Sequence, residues 1–190
     1  MILIREKLMN YKTIIQEIHE VQLQTFCPLE RFVTKGTSIL PKHKRGLYWI
    51  WTKLDFEELK NGGNNHKSEV PIKDLITQRM ELNHICKLEK DGFRVIYNGI
   101  GGYKNNPKGF GLRERIMQEL NSNDYRTGTL NIRNRYNTDT NWAVSFFDFD
   151  NDDNKAKFHF LNETNAYQNY ASKLEKVWRL EFGHPILCRH

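Results

Sequence analysis

Two tyrosines in this chain each stand beside a glycine on a strand-like segment, in Gly46-Leu47-Tyr48 and Tyr97-Asn98-Gly99. A phenol at a strand end beside glycine can lie against a phosphate and orient or deprotonate a water molecule. Further along, Arg115 offers a guanidinium fork that grips two oxygens of a phosphorane-like transition state. Glu175 offers a carboxylate for one Mg²⁺. These residue types suit hydrolysis of a phosphodiester.

A structural interpretation is also open for each tyrosine. Tyr48 and Tyr97 could be half-buried strand aromatics that only fill space. Gly46 and Gly99 favour the chemical interpretation, because they would let two adjacent strands, and a substrate, approach closely.

The arginine and the glutamate have structural alternatives as well. Arg115 could be a surface residue paired with Glu114 or Glu119. Glu175 could be the partner of Arg179, one turn along the same helix. The order of the four groups along the chain is what favours a shared site.

In that order the segments resemble the GIY-YIG nuclease superfamily. GLY at 46–48 corresponds to the first tripeptide of the family and YNG at 97–99 to the second. LRERI at 112–116 resembles the helix that carries the family's arginine, which selects Arg115. The run from Asn165 to Pro185 resembles the closing helix, whose glutamate precedes a proline, which selects Glu175. The resemblance covers residues 46 to 188.

This resemblance implies single-metal phosphodiester hydrolysis. Tyr97, or Tyr48 with it, would position or deprotonate the attacking water. Arg115 would stabilise the developing charge, and Glu175 would hold Mg²⁺ or Mn²⁺. A loop lysine, Lys104, is placed where it could assist.

The chain departs from the family's usual pattern at several places. The segment between the tripeptides is longer than a hairpin, and the loop GYKNNPKGFG enlarges the approach to the arginine helix. Asn98 stands where the second tripeptide has an apolar residue. Cys188 stands where an asparagine often follows the proline.

The elements that must position these groups predict an α+β fold, with a small central, mostly antiparallel sheet flanked by helices. Apolar spacing predicts a helix over Leu3 to Gln24, which is either an arm or a packing element. Strands are expected at 46–51, 93–97 (ended by the glycines of 98–102), 142–149 and 155–160, the last two as a hairpin. Further helices are expected to start at Asp55 and to cover 72–88, 112–120 and 165–182, whereas 129–136 suits either a strand or a basic helix.

Two regions follow from this assignment. Residues 1–45 would form an N-terminal helical arm and a basic linker. Residues 46–190 would form the GIY-YIG-like catalytic domain, with an inserted segment at 55–92.

Other metal sites are not favoured by the sequence. Cys27, Cys86 and Cys188 lie far apart and form no CxxC pair, so a zinc site is not expected. The acidic run from Asp148 to Asp152 resembles the start of a calcium loop but lacks its glycine and its final glutamate. That run is expected to be an acidic turn between strands.

Composition points to a polyanionic partner. The 190-residue chain has 29 Lys and Arg against 23 acidic residues, a net charge of +6. Double-stranded DNA is the expected partner, and the insertions in a compact core suit sequence readout. The candidate DNA contacts are Lys42, Lys44, Arg45, Lys108, Arg113, Arg133 and Arg135.

A type II restriction endonuclease acting as a homodimer is therefore the favoured interpretation. Its rivals are a phage or mobile-element nicking or homing nuclease and a non-catalytic nucleic-acid-binding protein. No apolar run suits a membrane span or a secretory signal, so a cytoplasmic location without membrane contact is expected.

Overall fold

The central strand of the molecule is an unbroken apolar and aromatic run. Residues Gly46–Thr52 form strand β2, and all seven positions are buried. Successive side chains of a strand point to opposite faces, so such a run requires cover on both faces. Tyr48 and Ile50 pack into one hydrophobic core, whereas Trp49 and Trp51 pack into a second core on the other face. Helices must therefore lie on both sides of this strand.

The computed structural model describes residues 11–31, 43–62, 69–102, 111–121, 128–163 and 166–189. Its fold is α+β, as the sequence predicts. The strands are β1 (Cys27–Pro28), β2, β3 (Glu89–Lys90), β4 (Phe93–Gly101) and β5 (Trp142–Asp148). They form one antiparallel sheet in the order β1-β5-β2-β4-β3. Within the described residues the principal helices are α1 (Tyr11–Gln24), α2 (Phe56–Lys60), α3 (Ile72–Arg79), α4 (Leu112–Leu120), α5 (Ile132–Tyr136), α6 (Asp152–Lys155) and α7 (Ala166–Phe182).

Helix α4 sits directly on the ends of strands β2 and β4 because two glycines face each other there. Gly46 pairs with Gly101 across the two strands. A Cβ on Gly101 would lie 2.3 Å from the Cα of Leu112, and one on Gly46 would lie 2.7 Å from the Leu112 Cδ2. The Leu112 amide also donates to the carbonyl of Lys44 at 2.6 Å. These contacts fix the first turn of α4, and with it the position of Arg115.

Helix α7 is anchored to the same glycine pair from the other face of the sheet. The Tyr167 hydroxyl accepts from the Gly46 amide at 3.0 Å and donates to the Gly101 carbonyl. The buried face of α7 consists of Tyr167, Ala171, Leu174 and Trp178. Leu180, although apolar, is 85% exposed. It is two positions beyond Trp178 and thus points away from the core.

The N-terminal helix is a packing element rather than an arm. Ile14, Ile15 and Ile18 of α1 are buried in the core that holds Trp49 and Trp178. The Trp178 indole donates to the buried Gln22 side chain at 3.1 Å. Strand β1 then pairs with β5, so residues 11–28 belong to the same fold as the sheet. None of the described helices is long and apolar enough to span a membrane.

Three element predictions are wrong. Residues 155–160 contain the end of α6 and the start of a 3₁₀ turn (His159–Asn162) instead of a strand, so the acidic run at 148–152 leads from β5 into a helix. The helix expected over 72–88 ends at Arg79. Strand β4 continues to Gly101 and is not broken at Asn98. Residues 129–136, which left two possibilities open, contain helix α5.

Candidate active site

The four groups singled out from the sequence line one cavity. Tyr48, Tyr97, Arg115 and Glu175 all contribute to the wall of a space of about 270 Å³. They come from four different elements, β2, β4, α4 and α7. The structure therefore brings together side chains that the sequence links only by their order.

The two phenols lie on the same face of neighbouring strands, with ring centroids 6.2 Å apart. Gly99 is the residue directly opposite Tyr48 across the strand pair. A Cβ at position 99 would lie 2.5 Å from the Tyr48 hydroxyl and 2.6 Å from its Cζ. The glycine thus makes room for the Tyr48 ring. The space beside Gly46 is also filled by the protein itself, because a Cβ there would lie 2.2 Å from the Phe147 carbonyl oxygen.

Behind the tyrosines lies Glu119, a carboxyl with no solvent exposure that the sequence did not identify as part of the site. Its Oε1 accepts from the Tyr48 hydroxyl at 2.8 Å, and its Oε2 accepts from the Leu130 amide at 2.9 Å. The Arg115 Nη2 lies 3.4 Å from Oε1. Arg115 therefore does pair with Glu119, as one sequence alternative proposed, but the carboxylate partner is buried. The sequence indicates this pair because Glu119 follows Arg115 by four positions, which places the two side chains side by side on a helix.

Burial sets the ionisation of these groups. It raises the pKa of Tyr48 and of Tyr97 well above the ordinary value for a phenol, and the Glu119 carboxylate raises both further. Both phenols are therefore protonated at neutral pH. Burial also raises the pKa of Glu119. Tyr48 raises the pKa of Arg115, and Glu119 raises it further, whereas burial lowers it. The net effect is a raised pKa, so the guanidinium keeps its charge.

Glu175, on helix α7, is held by Arg179. The Arg179 Nη2 donates to Glu175 Oε1 at 2.8 Å, and its Nε donates to the Asn98 Oδ1 at 2.9 Å. The i to i+4 pair that the sequence left open is thus present, and both of its members also face the cavity. Burial raises the pKa of Glu175, and Arg179 opposes that shift.

Two departures from the family pattern meet in space. The Cys188 thiol lies 3.1 Å from the Asn98 Oδ1, which also binds Arg179. Burial raises the pKa of Cys188 to about 12, so this sulfur is a neutral thiol. The Asn98 amide therefore lies in the cavity wall between the Arg179 guanidinium and the Cys188 thiol.

The carboxylate that the sequence assigns to a metal ion is Glu175. The Glu175 side chain is 14% exposed at the cavity, and among the described residues only Arg179 bonds its carboxylate, through Oε1. The described part of the chain holds no group of three or more His, Cys, Asp or Glu side chains that could bind a metal. The Mg²⁺ prediction made from the sequence therefore rests on this one carboxylate, with water and phosphate oxygens as the other ligands.

Several candidate DNA contacts serve the fold instead. The prediction that Arg135 contacts DNA is wrong, because its side chain has no exposure and pairs with Glu69 at 2.8 Å. Arg45 is also committed, since its guanidinium binds Asp150 at 2.5 Å and the Leu161 carbonyl at 2.9 Å.

The remaining candidate DNA contacts do not form one continuous basic surface among the described residues. The Lys44 ammonium donates to the Asp150 carbonyl at 2.8 Å. Arg133 forms a two-bond pair with Asp139, at 3.0 and 2.9 Å. Arg113 lies half-buried on α4 and is not among the residues that line the cavity. Lys42, Lys104 and Lys108 lie outside the described residues.

Comparison with known proteins adds no relative: no family model, no curated protein and no solved structure matches this chain.

Proposed function

We propose that this chain is a Mg²⁺-dependent DNA endonuclease that hydrolyses phosphodiester bonds with a GIY-YIG-type site. The observation that supports it is the convergence of Tyr48, Tyr97, Arg115 and Glu175 on one cavity of about 270 Å³. The phenols would orient the attacking water, the guanidinium would stabilise the developing negative charge, and the carboxylate would bind the cation.

Of the two phenols, Tyr97 is the better placed to meet a substrate. Its side chain is partly exposed, whereas Tyr48 has no exposed surface and donates its hydroxyl hydrogen bond to Glu119. Tyr97 would orient the attacking water as a protonated hydroxyl, because its pKa is raised by burial. Tyr48 would act indirectly, by fixing the Glu119 carboxylate beside Arg115.

Two guanidinium groups would hold the phosphate. Arg115 is 24% exposed and faces the cavity from α4, and Gln118 holds its Nη1 at 2.6 Å. Arg179 faces it from α7. A fixed guanidinium fork stabilises the extra charge of a phosphoryl transition state without reorganisation. Mg²⁺ bound at Glu175 would supply further positive charge near the leaving oxygen.

Within this proposal we favour a sequence-specific type II restriction endonuclease that works as a homodimer. Scission of both strands needs two such cavities, and a second copy of the chain would supply the other one. A nicking or homing nuclease would share the chemistry and differ in its cleavage pattern.

The test is incubation of purified protein with unmodified plasmid DNA and Mg²⁺, followed by sequencing of the ends. A single short recognition sequence with both strands cut is the expected result, and EDTA should abolish cleavage. Cuts in one strand, or with loose preference, would favour the nicking or homing nuclease. Magnesium-independent binding without any cut would contradict the hydrolytic proposal.

A further inference from the structure

A second concave surface adjoins the candidate active site. It has a volume of about 750 Å³ and lies between the C-terminal part of α7 and the segment from Asn83 to Lys87. We call it the α7 groove. Arg179 belongs both to its wall and to that of the cavity. A ligand long enough to extend past Arg179 from the cavity would therefore enter the α7 groove.

The helical repeat explains how α7 serves both surfaces. Glu175 and Arg179, four positions apart, point into the cavity. Lys176 and Leu180 follow each of them by one position, and their side chains are rotated by about 100° toward the α7 groove. The same two turns of helix thus present the proposed chemistry on one side and a continuous binding surface on the other.

The α7 groove combines positive charge with exposed apolar surface. Lys87 and Lys176 are both exposed, and no carboxylate belongs to its wall among the described residues. Leu180 is 85% exposed, which is unusual for a large apolar side chain on an otherwise well-packed helix. Phe182 and Ile85 extend the apolar surface. Cations beside apolar side chains are the combination that holds the phosphates and the bases of a nucleic acid strand.

We infer that the α7 groove binds the nucleotides that flank the scissile phosphate, with Lys87 and Lys176 on phosphates and Leu180 against a base or sugar. This inference rests on the proposed function, because the cavity defines where the scissile phosphate lies. It supplies the nucleic-acid surface that Arg45 and Arg135, which are committed to ion pairs, do not provide.

Binding of a fluorescent DNA duplex, measured by anisotropy in EDTA over a series of salt concentrations, tests the inference without cleavage. Replacing Lys87 and Lys176 together by alanine should weaken binding about 10-fold or more at low salt. The slope of log affinity against log salt should fall by about 1.8, since each lost phosphate contact contributes about 0.9. Leu180→Ala should weaken binding about threefold to tenfold without changing that slope, because it removes only apolar contact.

Lys73→Ala is the matched control, because Lys73 is an exposed lysine on α3 that belongs to neither wall. Its affinity should stay within about twofold of that of the unaltered protein, a difference of less than about 0.5 kcal/mol. Thermal unfolding should show all the variants folded, since Lys87, Lys176 and Leu180 are exposed.

Each outcome decides between the two proposals. If the double lysine variant binds DNA with unchanged affinity and slope, the groove inference is overturned, even where the protein cuts DNA. If the groove variants lose affinity but the unaltered protein never cuts, the groove is a nucleic-acid-binding surface, and the hydrolytic function, together with the scissile phosphate beside the groove, is overturned. Absence of any DNA binding would overturn both. Displacement of the duplex by polyglutamate at lower concentration than by DNA would overturn the inference in favour of an acidic protein partner.

Discussion

Gly99→Ala is the substitution that tests the geometry of the site most severely. The new Cβ would lie 2.6 Å from the Tyr48 Cζ, whereas ordinary contact begins at 3.4 Å. The two atoms must therefore separate by about 0.8 Å. Tyr48 cannot turn freely, because it is wholly buried between strand β4 and helix α4. We expect its ring to be displaced away from Gly99.

This displacement has a calculable consequence at Glu119. The Tyr48 hydroxyl bonds Glu119 Oε1 at 2.8 Å, so a movement of about 0.8 Å along that direction would break the bond or force the carboxyl to move with it. Overpacking of a core costs about 1–3 kcal/mol. An unmade bond to a buried polar group costs about 1–3 kcal/mol more. The expected loss in the free energy of unfolding is thus about 2–6 kcal/mol.

Urea unfolding of Gly99→Ala and Gly92→Ala measures this difference with a matched control. Gly92 has a φ of +77°, but no atom lies within 4 Å of the place that a Cβ would take, so alanine there should cost only the backbone strain, about 1–2 kcal/mol. A Gly99→Ala protein as stable as the unaltered one would refute the close approach of Tyr48 to strand β4. If the protein remains folded, its cleavage rate should fall, because Glu119 and Arg115 lose their alignment.

Three further predictions concern the same groups. Arg115→Lys keeps the charge but loses the two-pronged donor, and should lower the single-turnover cleavage rate by about 10²-fold; a change below about threefold would contradict its role. Tyr97→Phe should lower that rate with little loss of stability, whereas Tyr48→Phe should cost about 1–3 kcal/mol in urea unfolding; the reverse pattern would refute the assignment. Burial raises the pKa of Glu119 in the folded protein, so folding retains a proton and stability should fall as pH rises above the ordinary carboxyl value. Glu119→Gln should flatten that dependence, and Glu181→Gln, on an exposed residue, should not.

The sequence predicts the sheet and the principal helices well where one physical pattern dominates. The unbroken apolar run of β2 can only lie in a sheet covered on both faces, and helix α4 has the bounds that its apolar spacing predicts. Local patterns fail where tertiary contacts decide. Strand β4 passes through Gly99 and Gly101 because Tyr48 and Leu112 occupy the space beside them.

The segment after β5 shows a second kind of failure. Alternating phenylalanines around residue 158 resemble a strand, yet Asn151 begins helix α6 by accepting from the Asn154 amide at 2.7 Å. Phe158 then packs edge-on against Phe149, with ring centroids 4.9 Å apart. A short aromatic alternation does not distinguish a strand from a turn that buries its rings.

For the site, residue types and order indicated which four side chains to expect but not what supports them. The burial of Glu119 depends on Leu130 and Tyr48, which approach it only in the folded chain. The commitment of Arg135 to Glu69 joins positions 66 residues apart. Charge alone therefore predicts a basic protein, whereas the location of each charge requires the fold.

The most direct test of the central claim compares cleavage by Glu175→Ala with cleavage by Glu181→Ala, an exposed glutamate on the same helix. DNA binding in EDTA is measured alongside for both. We expect Glu175→Ala to bind DNA without cutting it, and Glu181→Ala to cut at the normal rate. Normal cutting by Glu175→Ala would contradict the account.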